Sequence, residues 1–410
     1  MDVRQADPEI KPGPISVKAV ENIEPWSYYD KLREQGPLVW DELMKAWIIL
    51  DFENCAYVEV NEDRFRNAYV GVSPIVVQVK GGGANITLSS GELHDKIRRF
   101  HLKLFTPPLV ESYRQNHVRP IIKMLVDRFQ NRGRADLCAD LGDQLPPRVI
   151  AALLGMPWED DDMIARILHL HEDIMKFLGS KFDEEGTKKA LATSKEINDM
   201  LLPYVRARRE HPKDDFISRV WLEAPKEYGP LSEEDAIGMC RELFLGGADT
   251  TVHGLANCFY LLLTDDGVRK SVQADRKTAL SNCVEEAMRM YGSVMYRFRV
   301  ANQDCELGGR QVKKDQTLIL LHSAANRDPN HYACPHMADI TRKPATDHLA
   351  FNKGPRSCVG MGLARVEMRD AIEAVLDRLP NVRLDPNAEK PRFSSLFMRS
   401  WRPLHVLFDV

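Results

Sequence analysis

No stretch of this 410-residue chain approaches the roughly 20 consecutive apolar residues needed to cross a bilayer. The best runs, Ala46 to Leu50 and Phe259 to Leu263, are far shorter. Residues Met1 to Pro8 carry no apolar core, which argues against a secretory leader. None of the eight cysteines, at 55, 138, 240, 258, 283, 305, 334 and 358, belongs to a Cys-x-x-Cys pair. A disulfide scaffold is therefore not expected. The thiols of a cytoplasmic protein stay reduced, and seven of these eight are expected to serve only as packing. An excess of one charge is also lacking: 56 Lys and Arg against 60 Asp and Glu give a net charge of −4, so global charge gives no reason to expect nucleic acid. Internal repeats, low-complexity tracts and a Gly-x-Gly-x-x-Gly dinucleotide fingerprint are missing too. What is present is 44% hydrophobic residues, enough for a large core.

The pattern reads as one mainly α domain over 1–410. A large helical lobe is joined to a smaller β-rich lobe at roughly 27–66 and 294–345. Leu38-Val39-Trp40 and Ala46 to Leu50 look like a hairpin, and β-branched residues around the Gly308-Gly309 turn mark further strands between Arg297 and Leu321. Residues 67–91, rich in glycine, read as a long mobile loop. Helical periodicity dominates from Glu92 to about Leu263, and a final helix follows Cys358. Ser232 with Asp235 predicts a capped helix running unbroken to about Thr264. Its interior holds Gly246-Gly247-Ala248-Asp249-Thr250-Thr251, where each glycine costs about 1 kcal/mol relative to alanine. Either a neighbouring helix packs closely there, or a flat ligand meets the backbone.

Near the C-terminus, Gly354, Pro355, Gly360 and Gly362 form a constrained loop that delivers Cys358 to a helix start. The helix dipole and free N–H groups there favour thiolate. One soft sulfur without Cys or His companions does not make a zinc site. Haem iron, however, needs only one proximal protein ligand, and cysteine thiolate is a known choice.

Phe351-x-x-Gly354-x-Arg356-x-Cys358-x-Gly360 resembles the haem-binding loop of the cytochrome P450 family. The Gly246 to Thr251 string resembles its oxygen-activation motif, Glu286-Ala287-Met288-Arg289 its Glu-x-x-Arg helix, and Ala325 to Pro329 a stretch common in soluble bacterial members. All stand in family order, and the similarity runs from about Trp26 to the C-terminus. Asn352 departs from the usual glycine; asparagine tolerates unusual backbone angles. The resemblance implies a P450 fold and haem b on Cys358, with Phe351 and Gly360 in the binding loop. It assigns the propionates to His94, Arg98, Arg299, His348 and Arg356. Glu286, Arg289 and Arg342 would form a structural ion-pair network, and Asp249 and Thr250 would deliver protons during O2 activation. Leu245, Val294, Met295 and Phe397 would contact a small or medium hydrophobic substrate, such as a terpenoid or an aromatic compound. Glu242, on the same helical face as Thr250, is either an unusual acid facing the pocket or, as expected here, packed or solvent-paired.

The implied activity is that of a monooxygenase. Its electrons would come from a separate ferredoxin with an NAD(P)H-dependent reductase, docking on Lys96, Arg99, Lys103 and Lys353. A peroxide-driven peroxygenase and a non-catalytic haem sensor or carrier are the alternatives. Three other features point elsewhere and carry little weight. His169-Leu170-His171-Glu172 reads as a solvated helix. Lys80-Gly81-Gly82-Gly83 lacks the ending of a phosphate loop, and Asn85-Ile86-Thr87 is a glycosylation sequon without consequence unless the chain is secreted.

Overall fold

The computed structural model describes residues 13–179 and 184–410; the N-terminal reading at Met1 to Pro8 lies outside them. The expected hairpin forms with Leu38 opposite Ile49. Its second strand, Ala46–Ile49, pairs in parallel with Thr317–Leu320. That strand pairs in turn with Arg297–Ala301, which is bordered by Phe65–Asn67, completing five strands. Residues far apart in sequence thus share one sheet, because Ile48 and Ile319 on one face and Ile49, Leu318 and Leu320 on the other all bury. Gly308 and Gly309 turn the small hairpin Cys305–Leu307 to Arg310–Val312.

The helical core is one continuous apolar cluster. Ser232 caps its central helix with the reciprocal Asp235 bond, as the pattern predicts. The helix does not run unbroken, however. It divides at Ala248 into Glu233–Gly247 and Asp249–Thr264. Two side chains bind carbonyls beside the break: Thr250 Oγ1 donates to Gly246 (2.8 Å), and His171 Nε2 contacts that of Phe244. His171 is accordingly fully buried, whereas its neighbour His169 is solvated as expected.

Within 67–91, Pro74–Val79 is helical rather than loop. Val76 and Val79 bury, and helix Glu184–Glu210 donates through Ser194 Oγ to Gln78 O (2.7 Å). Gly81-Gly82-Gly83 brings this segment against the central helix so closely that a Cβ on Gly83 would lie 2.3 Å from the Glu234 carbonyl. All eight cysteines are free; six are buried as expected, but Cys334 is exposed. Among the described residues, no helix is long and apolar enough to cross a membrane.

Candidate active site

Asn352 and Gly354, at φ +57° and +66°, fold the cysteine loop back on itself. The Cys358 N–H donates to the Phe351 carbonyl (2.8 Å) and the Ser357 N–H to Gly354 (3.0 Å). Asn352, the departure from the family pattern, occupies the left-handed backbone that it tolerates well. The sulfur stands two residues before Gly360, the N-cap of helix Met361–Arg378. Burial pushes the Cys358 thiol up, against the Gly360 N–H and the charges of Arg297, Arg98 and Arg365. The helix start alone, expected to favour thiolate, does not outweigh that desolvation; a coordinated metal cation would.

Cys358 opens onto a cavity of about 380 Å³, within the range of ligand sites. The glycine pair of the central helix serves both of its candidate purposes. A Cβ on Gly247 would press on Ile150 at 2.3 Å, which is helix packing. Gly246 lines the cavity with nothing within 4 Å of its Cβ position, which leaves room for a flat ligand.

The cations converge on the same space. His94, Arg98, Arg299 and Arg356 all line the cavity. Among the described residues, His94 Nε2 and Arg299 Nη2 are buried and have no hydrogen-bond partner, a costly arrangement; an arriving carboxylate would take the Arg299 donor and favour a second proton on His94, whose Nδ1 proton faces Asp95 (3.0 Å). Arg98 grips the loop through Ser357 O and Oγ (2.8 Å each). Arg356 is already neutralised by Glu62 and donates also to Ile86 O and Ser89 O. Two unpartnered buried nitrogens on basic side chains, beside a sulfur and an apolar slot, fit a planar cofactor bearing two carboxylates.

Some expected residues lie elsewhere. His348 does not line the cavity: its Nδ1 accepts from Ala350 N–H (3.2 Å), leaving the Nε2 proton for Glu285 (3.1 Å), which Arg365 also holds. Leu245, Val294 and Phe397 line the cavity, as do Phe351 and Gly360, but Met295 is buried in the sheet-side core. Thr250 lines it, while Asp249 lies off the wall with Oδ1 3.7 Å from His253 Nε2. Glu286, Arg289 and Arg342 come together as expected.

Sequence reasoning did not name the wall residues Arg297 and Glu367, and it ranked a wall position for Glu242 second. Arg297 is two positions from Arg299, and the strand's period of two puts both on one face; that signal was available. Glu242 is a wall residue rather than packed or solvent-paired, and it accepts from Thr87 Oγ1 at 3.2 Å. Glu367 is 1% exposed, and its Oε2 has no partner. Burial holds its carboxyl far above the usual range, so the folded state retains a proton that the unfolded chain releases. That contribution to stability is present below the ordinary carboxylate value and is lost as pH rises toward the raised one. Glu367→Gln is therefore expected to raise the melting temperature of the holoprotein by roughly 1–3 °C at pH 8, with no gain at pH 4.5 by calorimetry.

These features fit a class of proteins that hold haem through a single cysteine thiolate. The cytochrome P450 family model matches residues 20–408, and the chain belongs to that family; it is a P450 monooxygenase with the P450 fold. It is 27% identical to the putative cytochrome P450 YjiB of Bacillus subtilis (strain 168), over 87% of this chain and 88% of that one. With cytochrome P450 CYP107DY1 of Priestia megaterium it shares 30% identity, over 77% and 74%. The crystal structure of the myxobacterial CYP267B1 in complex with myristic acid superimposes with a TM-score of 0.83 at 27% identity, covering 94% and 97% of the two chains.

Proposed function

We propose that the chain holds haem b on Cys358 and oxidises a small or medium hydrophobic substrate by hydroxylation or oxidative dealkylation, with electrons from a ferredoxin. The observation that carries this reading is the convergence of Cys358, the unpartnered His94 and Arg299 nitrogens and a mainly apolar wall on one cavity. Bound haem supplies the O2 chemistry, and the thiolate ligand favours O–O cleavage. His94, Arg98, Arg299 and the unforeseen Arg297 would hold its carboxylates. Leu245, Val294, Ile150 and Phe397 desolvate the substrate. CYP267B1, with its bound myristic acid, is a relative whose ligand is likewise a hydrophobic chain.

Thr250 keeps a hydroxyl proton on the wall, parked on Gly246 O. Asp249 connects from off the wall to His253, whose Nδ1 meets Ser400 Oγ at 2.8 Å, so protons would reach Thr250 along the helix face away from substrate. Thr250→Ala is expected to leave haem content unchanged while product per NAD(P)H falls several-fold and hydrogen peroxide rises to match. An unchanged product yield would remove Thr250 from proton delivery.

Lys96, Arg99 and Lys103 share helix Gly91–Leu104 with Arg98, which touches the cysteine loop. Each now pairs with an exposed or half-buried acid, Glu92 or Glu227, and Lys353 with Asp347. Such solvent-screened surface pairs contribute little and exchange readily for the carboxylates of an acidic ferredoxin. Turnover with a surrogate ferredoxin, its reductase and NAD(P)H, after a spectral-shift screen of terpenes and aromatic acids, tests the reading. Turnover with peroxide alone would favour a peroxygenase, and ligand shifts without product would favour a carrier.

A further inference from the structure

Lys80 is 7% exposed and lines the cavity, yet no hydrogen bond or ion pair reaches its Nζ among the described residues. Its one recorded partner is the face of Tyr69, 4.6 Å away. The side chain cannot swing out freely, because its backbone is pinned: its N–H donates to Val76 O, its carbonyl accepts from Asn85 Nδ2 (3.1 Å), and Gly81 to Gly83 lock the following turn against the central helix. Buried ammonium groups almost always have an anion or several acceptors. This one has a π face and solvent-sized space.

The charges beside it do not balance. Arg241 is fully buried and donates only to neutral atoms: Ser194 O and Oγ, Asn198 Oδ1 and Val79 O. Glu242 is the carboxylate recorded as acting on both Lys80 and Arg241. It is not within ion-pair distance of either, and it accepts from Thr87 instead. Two cations and one carboxylate leave this wall one positive charge in excess. Burial accordingly pulls Lys80 below the usual lysine range, with Arg241 and Arg297 adding to the shift and Glu242 opposing it. The carboxylates of haem have their own candidates in His94, Arg98, Arg297 and Arg299, so they do not account for Lys80.

We infer that Lys80 is a specificity-determining residue and that the substrate is a hydrophobic acid, whose carboxylate pairs with Lys80 Nζ while its apolar body lies along Leu245, Val294 and Phe397. Pairing restores the missing negative charge in a low-dielectric wall, where charge-assisted hydrogen bonds are strong. It also fixes one end of the substrate, which limits which carbon can approach the Thr250 side of the cavity. The inference rests on the monooxygenase reading and narrows its substrate class.

The test uses ferric holoenzyme and optical spin-shift titration with three acids, each beside its methyl ester: dodecanoic, geranic and 4-phenylbutyric acid. In the parent protein at least one acid is expected to bind about tenfold tighter than its ester, the effect of one desolvated charge-assisted contact. Lys80→Met, which keeps the apolar stem, is expected to weaken that acid about tenfold and its ester less than twofold, and Lys80→Arg to retain the preference. The inference is overturned if no acid outbinds its ester, if Lys80→Met weakens both alike, or if it lowers haem retention without changing acid preference, which would make Lys80 a cofactor contact. Each variant's reduced carbon monoxide spectrum is recorded in parallel. Loss of the thiolate band in the parent protein would sink the haem-thiolate reading itself, a failure distinct from the loss of acid preference.

Discussion

Cys358→Ser is expected to abolish monooxygenase turnover and remove the red-shifted Soret band of the reduced carbon monoxide complex. The backbone geometry that presents position 358 does not depend on sulfur: the N–H to Phe351 O bond and the positive φ at Asn352 and Gly354 remain in the variant. The fold should therefore persist, and apo melting curves should nearly coincide. What changes is the ligand. A neutral serine hydroxyl is a hard, weak donor where iron meets a soft thiolate, and the electron donation that favours O–O cleavage disappears. Removing a partner that merely supports a metal ligand costs about 10–100-fold, so losing the ligand itself should cost more than that. An unaltered spectrum in the serine variant would mean that the iron is held elsewhere.

The second large effect is on stability. Glu286 accepts from Arg289 Nε and Nη2 (2.8 and 2.7 Å), from the Asp339 N–H (2.8 Å) and from Arg342 Nε (3.3 Å), and both Glu286 and Arg289 are almost fully buried. Arg289 also donates to Asn326 O and Pro335 O and lies over Tyr332. Removing one member of a buried pair leaves an uncompensated charge and costs about 3–5 kcal/mol. Glu286→Ala is therefore expected to lose that much in urea unfolding and to yield little holoprotein. The double variant Glu286→Gln, Arg289→Met removes both charges and should be less damaged than the sum of the single variants. Additive losses would show that the two side chains act through their other contacts, not through each other.

Sequence and structure agree where chemistry is local. The capping box at Ser232 and Asp235, the Gly308-Gly309 turn, the hairpin at 38–49 and the folded-back cysteine loop each depend on residues a few positions apart, so pattern alone reveals them. Charged partners are harder to anticipate, because a guanidinium takes whichever acceptor the fold supplies. His348 turned to Glu285, and Arg356 found Glu62. Arg297 and Arg299, two strand positions apart, share the cavity wall. The central helix breaks at Ala248, where His171, 73 residues before the Phe244 whose carbonyl it meets, and Thr250 satisfy carbonyls beside the break.

The sequence by itself determined the family, the sulfur at position 358, the glycine pair and the Glu286–Arg289 unit, since these are motifs in which spacing is the chemistry. Only the tertiary structure decided which cations remain without acceptors in the cavity, that Glu242 and Glu367 stand on its wall, and that Lys80 is buried there with no carboxylate within ion-pair distance among the described residues. Burial is a property of the whole packed chain, and it is burial that turns an ordinary charged side chain into a demand for a partner.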